Sequence, residues 1–193
     1  RAGEALTLEV NAARSQSKLD SRLEILHPDG RPVEQAVLQA TRDSWFTFRG
    51  KDSDTSDDFR LHNWAEMELN EYLYMNGDVM RLFRMPQGPD SDMLMVTSAG
   101  KRRAYFDTSA VAHALDEQGF IVEPRPLGAK LPTTGLPVFT VRFENDDDGE
   151  RTLGRDSKLQ FVVPTNGAYF VRVTDTRGLG GDRFAYRLVV REA

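Results

Sequence analysis

The chain has 193 residues, of which 39% are hydrophobic, enough for one good core or for one core and a smaller second one. Its formal net charge of −5 argues against nucleic-acid binding, which needs a basic face. The absence of cysteine excludes disulfides, thiolate metal sites and a cysteine nucleophile. No apolar run approaches the ~18 residues of a membrane span. The start, Arg1-Ala2-Gly3-Glu4, carries no signal peptide and is typical of an internal segment of a longer protein.

Alternating apolar and polar residues predict two strands near the start of the chain. These are residues 6–10 and 22–26, and the second run ends at Pro28-Asp29-Gly30, a strong turn signal. The same alternation recurs over residues 138–190, where we expect strands with one buried face. On this pattern Tyr186 and Leu188 are predicted to be buried.

Residues 36–137 are too rich in aromatic and apolar side chains to stay solvated, and they are predicted to fold. Asn76-Gly77 favours a type I′ turn between strands at residues 71–75 and 78–85. We expect a second hairpin from residues 93–97 and 102–106, an exposed loop at 51–58, and one short helix at 109–115. The prolines and glycines of residues 123–137 indicate an extended return.

An ordered set of motifs carries a resemblance to a known family. In chain order they are Gly3-Glu4-x-Leu6-x-Leu8-x-Val10, Ser17-x-Leu19-Asp20-Ser21-x-Leu23-x-Ile25, Asp29-Gly30-Arg31-Pro32-Val33, Asn145-Asp146-Asp147, Asp156-Ser157-x-Leu159-x-Phe161, Gly167-x-Tyr169-x-Val171-x-Val173-x-Asp175, Gly180-Gly181 and Phe184-x-Tyr186-x-Leu188. Together they resemble the bacterial pre-peptidase C-terminal domain over residues 3–34 and 138–190.

The resemblance implies an all-β fold, an antiparallel, jelly-roll-like β-sandwich. The sandwich would be discontinuous, formed by residues 1–35 and 138–193, with residues 36–137 as a β-rich insertion packed on it. We associate this variant, with its insertion of about 100 residues, with exported proteins of planctomycete-like bacteria. Secretion, or a place in the periplasm or at the cell surface, is expected on the same ground, and the lack of cysteine is compatible with it.

No cofactor is certain from the sequence, and if a metal is present we expect calcium, at the acidic turn that follows residue 143. Glu144, Asp146 and Asp148 alternate before Gly149 as in an EF-hand loop, but Arg155 stands where that loop needs a glutamate. The predicted ligand set is therefore a different one: Asn145, Asp146, Asp147, Asp148, Asp156 and Asp20, with Asp146 and Asp148 on one side of an extended segment. The alternative is a turn whose carboxylates accept backbone N–H groups, or pair with Arg151 and Arg155.

Aromatic side chains of the insertion are candidates for ligand binding. Trp45, Trp64, Tyr72 and Tyr74 could stack against sugar rings, or they could form the insertion's own core. Exposure of these side chains favours binding, and burial favours a structural role.

No serine, histidine or acid pair stands in a recognisable catalytic arrangement, so no catalytic residue is predicted. The expected function is that of a non-catalytic accessory domain. Its expected partners are neighbouring domains of the parent chain and an extracellular polymer, either protein or polysaccharide. A structural spacer without a ligand, and a hydrolase activity carried by the insertion, are the alternatives.

Overall fold

The computed structural model describes residues 1–48, 58–85 and 92–193. Within these ranges every strand pairing is antiparallel, which confirms the all-β, antiparallel fold class. Helical structure there is confined to two 3-10 turns, Ala13–Ser15 and Trp64–Glu66. Neither has the length or apolarity that a helix needs to cross a membrane.

The strands of the described residues, in chain order, are β1 (Ala5–Asn11), β2 (Ser21–Leu26), β3 (Glu34–Phe48), β4 (Asp58–Leu61), β5 (Tyr72–Met75), β6 (Asp78–Arg84), β7 (Met93–Met95), β8 (Thr97–Ser98), β9 (Lys101–Arg102), β10 (Asp116–Arg125), β11 (Val138–Arg142), β12 (Glu144–Asn145), β13 (Lys158–Val162), β14 (Phe170–Asp175) and β15 (Arg187–Glu192).

The two ends of the chain form a pair of three-stranded sheets. One has the order β13-β1-β15 and the other β12-β2-β14. Alternation places one apolar row of each sheet toward the other, as in a sandwich. The core between them contains only residues from before residue 35 and after residue 142: Leu8, Val10, Ala12, Leu19, Leu23, Ile25, Val33, Phe143, Leu159, Phe161 and Val163.

The middle of the chain forms a sheet that closes on itself. Its strand order is β10-β5-β6-β7-β4-β3, and β10 pairs with β3 over its whole length, from Asp116 opposite Thr47 to Arg125 opposite Val37. We call these six strands the closed sheet. A ring this small is filled by its own side chains: Phe46, Phe48, Phe59, Leu61, Met67, Leu73, Met75, Met80, Leu82, Met93, Met95 and Ile121.

β11 joins the closed sheet to the sandwich. The domain prediction placed its residues in the sandwich, yet β11 hydrogen-bonds to the first half of β3, with Phe139 opposite Leu38. A third apolar cluster lies there, and Tyr74 of β5 stacks on Phe139 with ring centres 3.8 Å apart. The division of the chain into two domains stays a prediction.

The predicted hairpins have different outcomes. Asn76 and Gly77 both have positive φ, at 48° and 92°, and they join β5 to β6 as expected for a type I′ turn. The second hairpin is shorter than expected, because only β8 and β9 pair around Ala99-Gly100 while β7 joins β4 and β6. The loop predicted at residues 51–58 lies almost wholly outside the described residues.

The helix predicted at residues 109–115 is wrong, since this segment has no regular secondary structure. Its polar groups bond to other segments of the chain. The Ser109 hydroxyl accepts the N–H of Asp146 at 2.9 Å, and the Val111 carbonyl accepts hydrogen bonds from Arg102 and Arg151. These tertiary contacts outweigh a weak local helix preference.

The burial predicted for the last strand is half wrong. Leu188 packs against the sandwich core, but Tyr186 is 50% exposed. Tyr186 precedes β15, and β15 lies at the edge of its sheet, paired only with β1 among the described strands. An edge strand has a neighbour on one side only, so its end leaves side chains uncovered.

Gly119 of β10 gives a direct test of the closed sheet. A Cβ atom at this position would lie 2.2 Å from Cε2 of Phe46, whose ring fills the interior. We expect Gly119→Ala to lower the free energy of unfolding by about 1–3 kcal/mol through overpacking, measured by urea denaturation. Gly180→Ala is the matched control, because a Cβ there meets nothing within 4 Å. Equal stability of the two variants would contradict the packing described for β10 and β3.

Candidate functional site

In the acidic turn, the carboxylate of Asp148 bonds to groups of its own loop. Oδ2 accepts hydrogen bonds from the hydroxyl and the N–H of Thr152, at 2.6 and 3.0 Å, and from the N–H of Leu153 at 3.3 Å. Oδ1 accepts the N–H of Glu150 at 3.2 Å. The buried carboxylate is therefore used to hold the turn, as aspartates do in loops that lack regular backbone bonding.

Asn145 and Asp147 hold the turn through amide and backbone groups. The Asn145 side chain donates to the carbonyls of Asp107 and Asp147, at 3.0 and 2.7 Å, and accepts the N–H of Lys158 at 3.0 Å. These bonds use the side-chain oxygen that the calcium prediction assigned to a metal. Asp146 and Asp148 border different cavities, and the Asp148 carboxylate is bonded to its own loop.

Asp156 and Asp20 are engaged at other places in the sandwich. Asp156 is fully buried, and it accepts the N–H groups of Ala12, Ala13 and Arg14 and the Nε of Arg14 at 2.6 Å. Burial alone would raise its pKa, but these donors outweigh burial and lower the pKa below its ordinary value. Asp20 accepts the Thr176 hydroxyl at 3.1 Å.

These contacts do not gather the predicted calcium ligands at one point. In the described ranges no group of three or more histidine, aspartate or glutamate side chains is placed to hold a metal ion. Arg151, predicted to neutralise the turn, donates to the carbonyls of Arg102 and Val111 at 2.8 and 2.9 Å. Calcium binding at the acidic turn stays a prediction.

The four aromatic residues predicted to bind ligand do not form one surface. Trp45 is 50% exposed and lies on the outside of β3, while its neighbour Phe46 fills the closed sheet. Trp64 packs partly against that interior. Tyr72 contacts Tyr105 and Phe106 edge-on, and Tyr74 stacks on Phe139. Tyr74 borders a cavity, which is described below.

A buried group of charges connects the closed sheet to the acidic turn, and the sequence analysis missed it. Asp78 Oδ2 lies 3.4 Å from Nε2 of His113, 3.7 Å from Arg102 and 3.8 Å from Arg151. Arg102 and His113 both contact the ring of Phe48. These residues are far apart in the chain, so no spacing motif could have revealed them. Their burial and mutual pairing indicate a structural role.

One cavity of about 290 Å³ lies where the sandwich and the closed sheet meet. We call it the junction cavity. Its lining comes from β2, the β5–β6 turn, the segment between β9 and β10, and the chain from β11 to just past β12: Arg22, Tyr74, Asn76, Gly77, Thr108, Ser109, Val111, Thr140, Val141, Arg142, Glu144, Asn145 and Asp146. Its volume lies at the lower end of the range for ligand pockets, about 300–1,000 Å³.

The charges in the junction cavity are only partly paired. Arg22 binds Glu144 at 2.9 Å. Oδ1 of Asp146 is buried and has no hydrogen-bond partner among the described residues. Arg142 is exposed, and within the described ranges it makes neither an ion pair nor a side-chain hydrogen bond. The cavity thus presents the exposed cation of Arg142, and the half-buried Asp146 side chain lies at its wall.

A second cavity of about 240 Å³ borders Asp107. Phe106 and Asp107 both have positive φ, at 54° and 51°, a conformation that costs energy for residues other than glycine. Burial raises the pKa of Asp107 to about 6, although the Gln160 N–H and the Gln35 side chain, 3.3 Å away, partly oppose it. Oε1 of Gln35 has no partner among the described residues. A protonated Asp107 could donate to such an acceptor.

Comparison with protein-family models, curated proteins and solved structures finds no match for this chain. The resemblance to the pre-peptidase C-terminal domain therefore depends on the motifs alone. The structure shows where these motif residues lie. The motif residues Asp156 and Asp175, like Asp148 beside the Asn145-Asp146-Asp147 motif, are buried and accept backbone N–H groups, so each holds a turn or a loop.

The raised pKa of Asp107 predicts that the stability of the folded chain depends on pH. Its pKa is higher in the folded chain than the ordinary 3.8, so the folded state binds the proton more tightly than the unfolded state. The stabilisation is complete below pH ~3.8 and is lost as the pH rises through about 6. The size of this effect is about 3 kcal/mol, at about 1.36 kcal/mol per pKa unit.

Asp107→Asn is the matched variant, because the amide cannot ionise. Urea denaturation between pH 4 and 7.5 should show the wild-type chain losing stability relative to this variant as the pH rises. Parallel curves for the two proteins would contradict the burial of an ionisable carboxyl at this position.

Proposed function

We propose that this chain is a non-catalytic binding module of a larger exported bacterial protein, and that it attaches to an extracellular polymer at the junction cavity. The exported parent and its neighbouring domains follow from the resemblance to the pre-peptidase C-terminal domain. The observation that carries the binding function is the junction cavity itself. It gathers hydroxyl, amide and charged side chains from both halves of the structure, around the exposed strand β11.

The state of the carboxylates supports binding over catalysis. General acid-base chemistry needs a carboxyl group within reach of a substrate. The buried aspartates of the sandwich instead accept backbone N–H groups of turns and loops, and Asp78 is enclosed by Arg102, Arg151 and His113. These groups are committed to the fold. The cavity residues left over are suited to hydrogen bonding and ion pairing.

A structural spacer is the second candidate function, and one observation favours it. Three of the four aromatic residues predicted to stack on a ligand are partly buried against other apolar side chains. Trp45 is the exception, and no second predicted aromatic extends its exposed face. If those residues serve only the fold, binding has to depend on the junction cavity, where it can be tested separately.

Filling the junction cavity tests the proposed function. Thr140 is exposed on β11 and lines the cavity, so Thr140→Trp places a large side chain in it without removing a core residue. We expect the wild-type chain to co-sediment with at least one of three probes, unfolded casein on beads, cellulose or chitin. Thr140→Trp should weaken this retention about tenfold or more, because the ligand's space is occupied.

Thr174→Trp is the matched control, since Thr174 is an exposed threonine on β14 that does not line the cavity. It should bind as the wild type does, and the thermal unfolding curves of both variants show whether they are folded. Failure of the wild-type chain to bind any of the three probes, or equal retention of Thr140→Trp, would overturn the proposed function in favour of a spacer.

A further inference from the structure

The junction cavity lies along an open edge of β11. Three consecutive residues, Thr140, Val141 and Arg142, line it. Successive side chains of a strand point to opposite faces, so a cavity that borders all three lies at the edge of the strand. β11 ends the order of its sheet and pairs only with β3 among the described strands. Its second edge therefore faces the cavity.

The hydrogen-bond pattern identifies the groups on that edge. The carbonyl of Pro137 accepts the N–H of Ala40, and Phe143 donates its N–H to Val33. In an antiparallel pair, alternate residues bond to the same neighbour, so Phe139 and Val141 also face β3. Thr140 and Arg142 then direct their N–H and C=O groups away from β3. These are the backbone groups that a further strand would pair with.

The charges beside this edge are of both signs and are spaced along one chain segment. Thr140, Arg142, Glu144 and Asp146 are alternate residues, and all four line the cavity. Arg22 engages Glu144 and also lies close enough to Asp146 for that carboxylate to raise the pKa of Arg22. Arg142 makes no such contact among the described residues, and the half-buried Asp146 side chain borders the cavity. The ligand should thus carry an anion and a cation.

We propose that the polymer bound at the junction cavity is a polypeptide, and that an extended segment of it adds as a strand to the free edge of β11. An acidic side chain of the segment pairs with Arg142, and a basic side chain pairs with Asp146. This inference rests on the proposed function of the junction cavity. It names the chemical class of the ligand and the way in which it is held.

A polypeptide fits these observations better than a polysaccharide. An added strand supplies alternating N–H and C=O groups at the spacing that the edge of β11 presents, and a glycan has no such ladder. Side chains of one extended segment also carry both charges, whereas cellulose and chitin are neutral. The register shift between Val141 and Arg142 marks a bulge, a feature that opposes pairing of one edge with the same edge of another copy.

A peptide selection tests this inference. Random twelve-residue peptides displayed on phage are selected on the wild-type chain, and the peptides obtained are synthesised. We expect an acidic and a basic residue to be enriched at positions that share one face of an extended peptide. The selected peptide is then N-methylated either at its odd-numbered or at its even-numbered residues. One of the two sets should weaken binding at least tenfold and the other should have little effect, because only one set of N–H groups faces β11.

Charge reversal identifies the pairing residue. Arg142→Glu should weaken binding of the selected peptide about tenfold or more, and replacing the peptide's acidic residue by lysine should restore it. Arg187→Glu is the matched control, since Arg187 is an exposed arginine on β15 that does not line the cavity. It should leave binding unchanged.

The outcomes separate this inference from the proposed function. Selected peptides could fail to bind Thr140→Trp and yet bind the wild-type chain equally well in both N-methylated forms. This result would overturn strand addition and leave the binding module intact. The wild-type chain could instead be retained only on cellulose or chitin, with this retention lost in Thr140→Trp. This result would also overturn the inference that the ligand is a polypeptide, and it would support the binding module. Selected peptides that bind Thr140→Trp as well as the wild type would contradict both.

Discussion

The pairing of β3 with β10 is the constraint on which the rest of the structure depends. β3 is fifteen residues long, and β10 runs beside it over ten pairs. On its other side β3 bonds first to β11 and then to β4. One strand thus closes the sheet at its end and presents β11 to solvent at its start. The closed sheet and the third apolar cluster lie against β3, and the junction cavity borders β11, which β3 holds in place.

Buried carboxylates accept the hydrogen bonds that hold several turns and loops of the sandwich. Asp148 holds the acidic turn, Asp156 holds the first 3-10 turn, and Asp175 holds the loop that follows β14. An Arg177 hydrogen bond keeps the pKa of Asp175 well below its ordinary range, so it is ionised where the loop needs an acceptor. Aspartate-rich turns resemble cation sites in sequence because both uses require hard, ionised oxygens.

The sequence predicts the strands of this protein better than their partners. Alternation located β1, β2 and β13, and the Asn76-Gly77 dipeptide located its turn, because both signals are local. It could not show that residues 109–115 give up helix for bonds to Asp146 and Arg151, or that residues 116–125 form the strand that closes a sheet. The same limit applies to the site. Asp146 was identified as a candidate residue, but Asp107, Asp78 and the free edge of β11 depend on contacts between segments far apart in the chain.

Amide hydrogen exchange of the free chain, resolved by residue with NMR, tests the open edge of β11 most directly. The N–H groups of Phe139 and Val141 face β3 and should exchange slowly, whereas those of Thr140 and Arg142 face the cavity and should exchange at least tenfold faster. This alternation within four consecutive residues is specific to a strand with one partner. Equal protection of all four amides would show that another part of the chain already covers the edge, and would contradict binding along it.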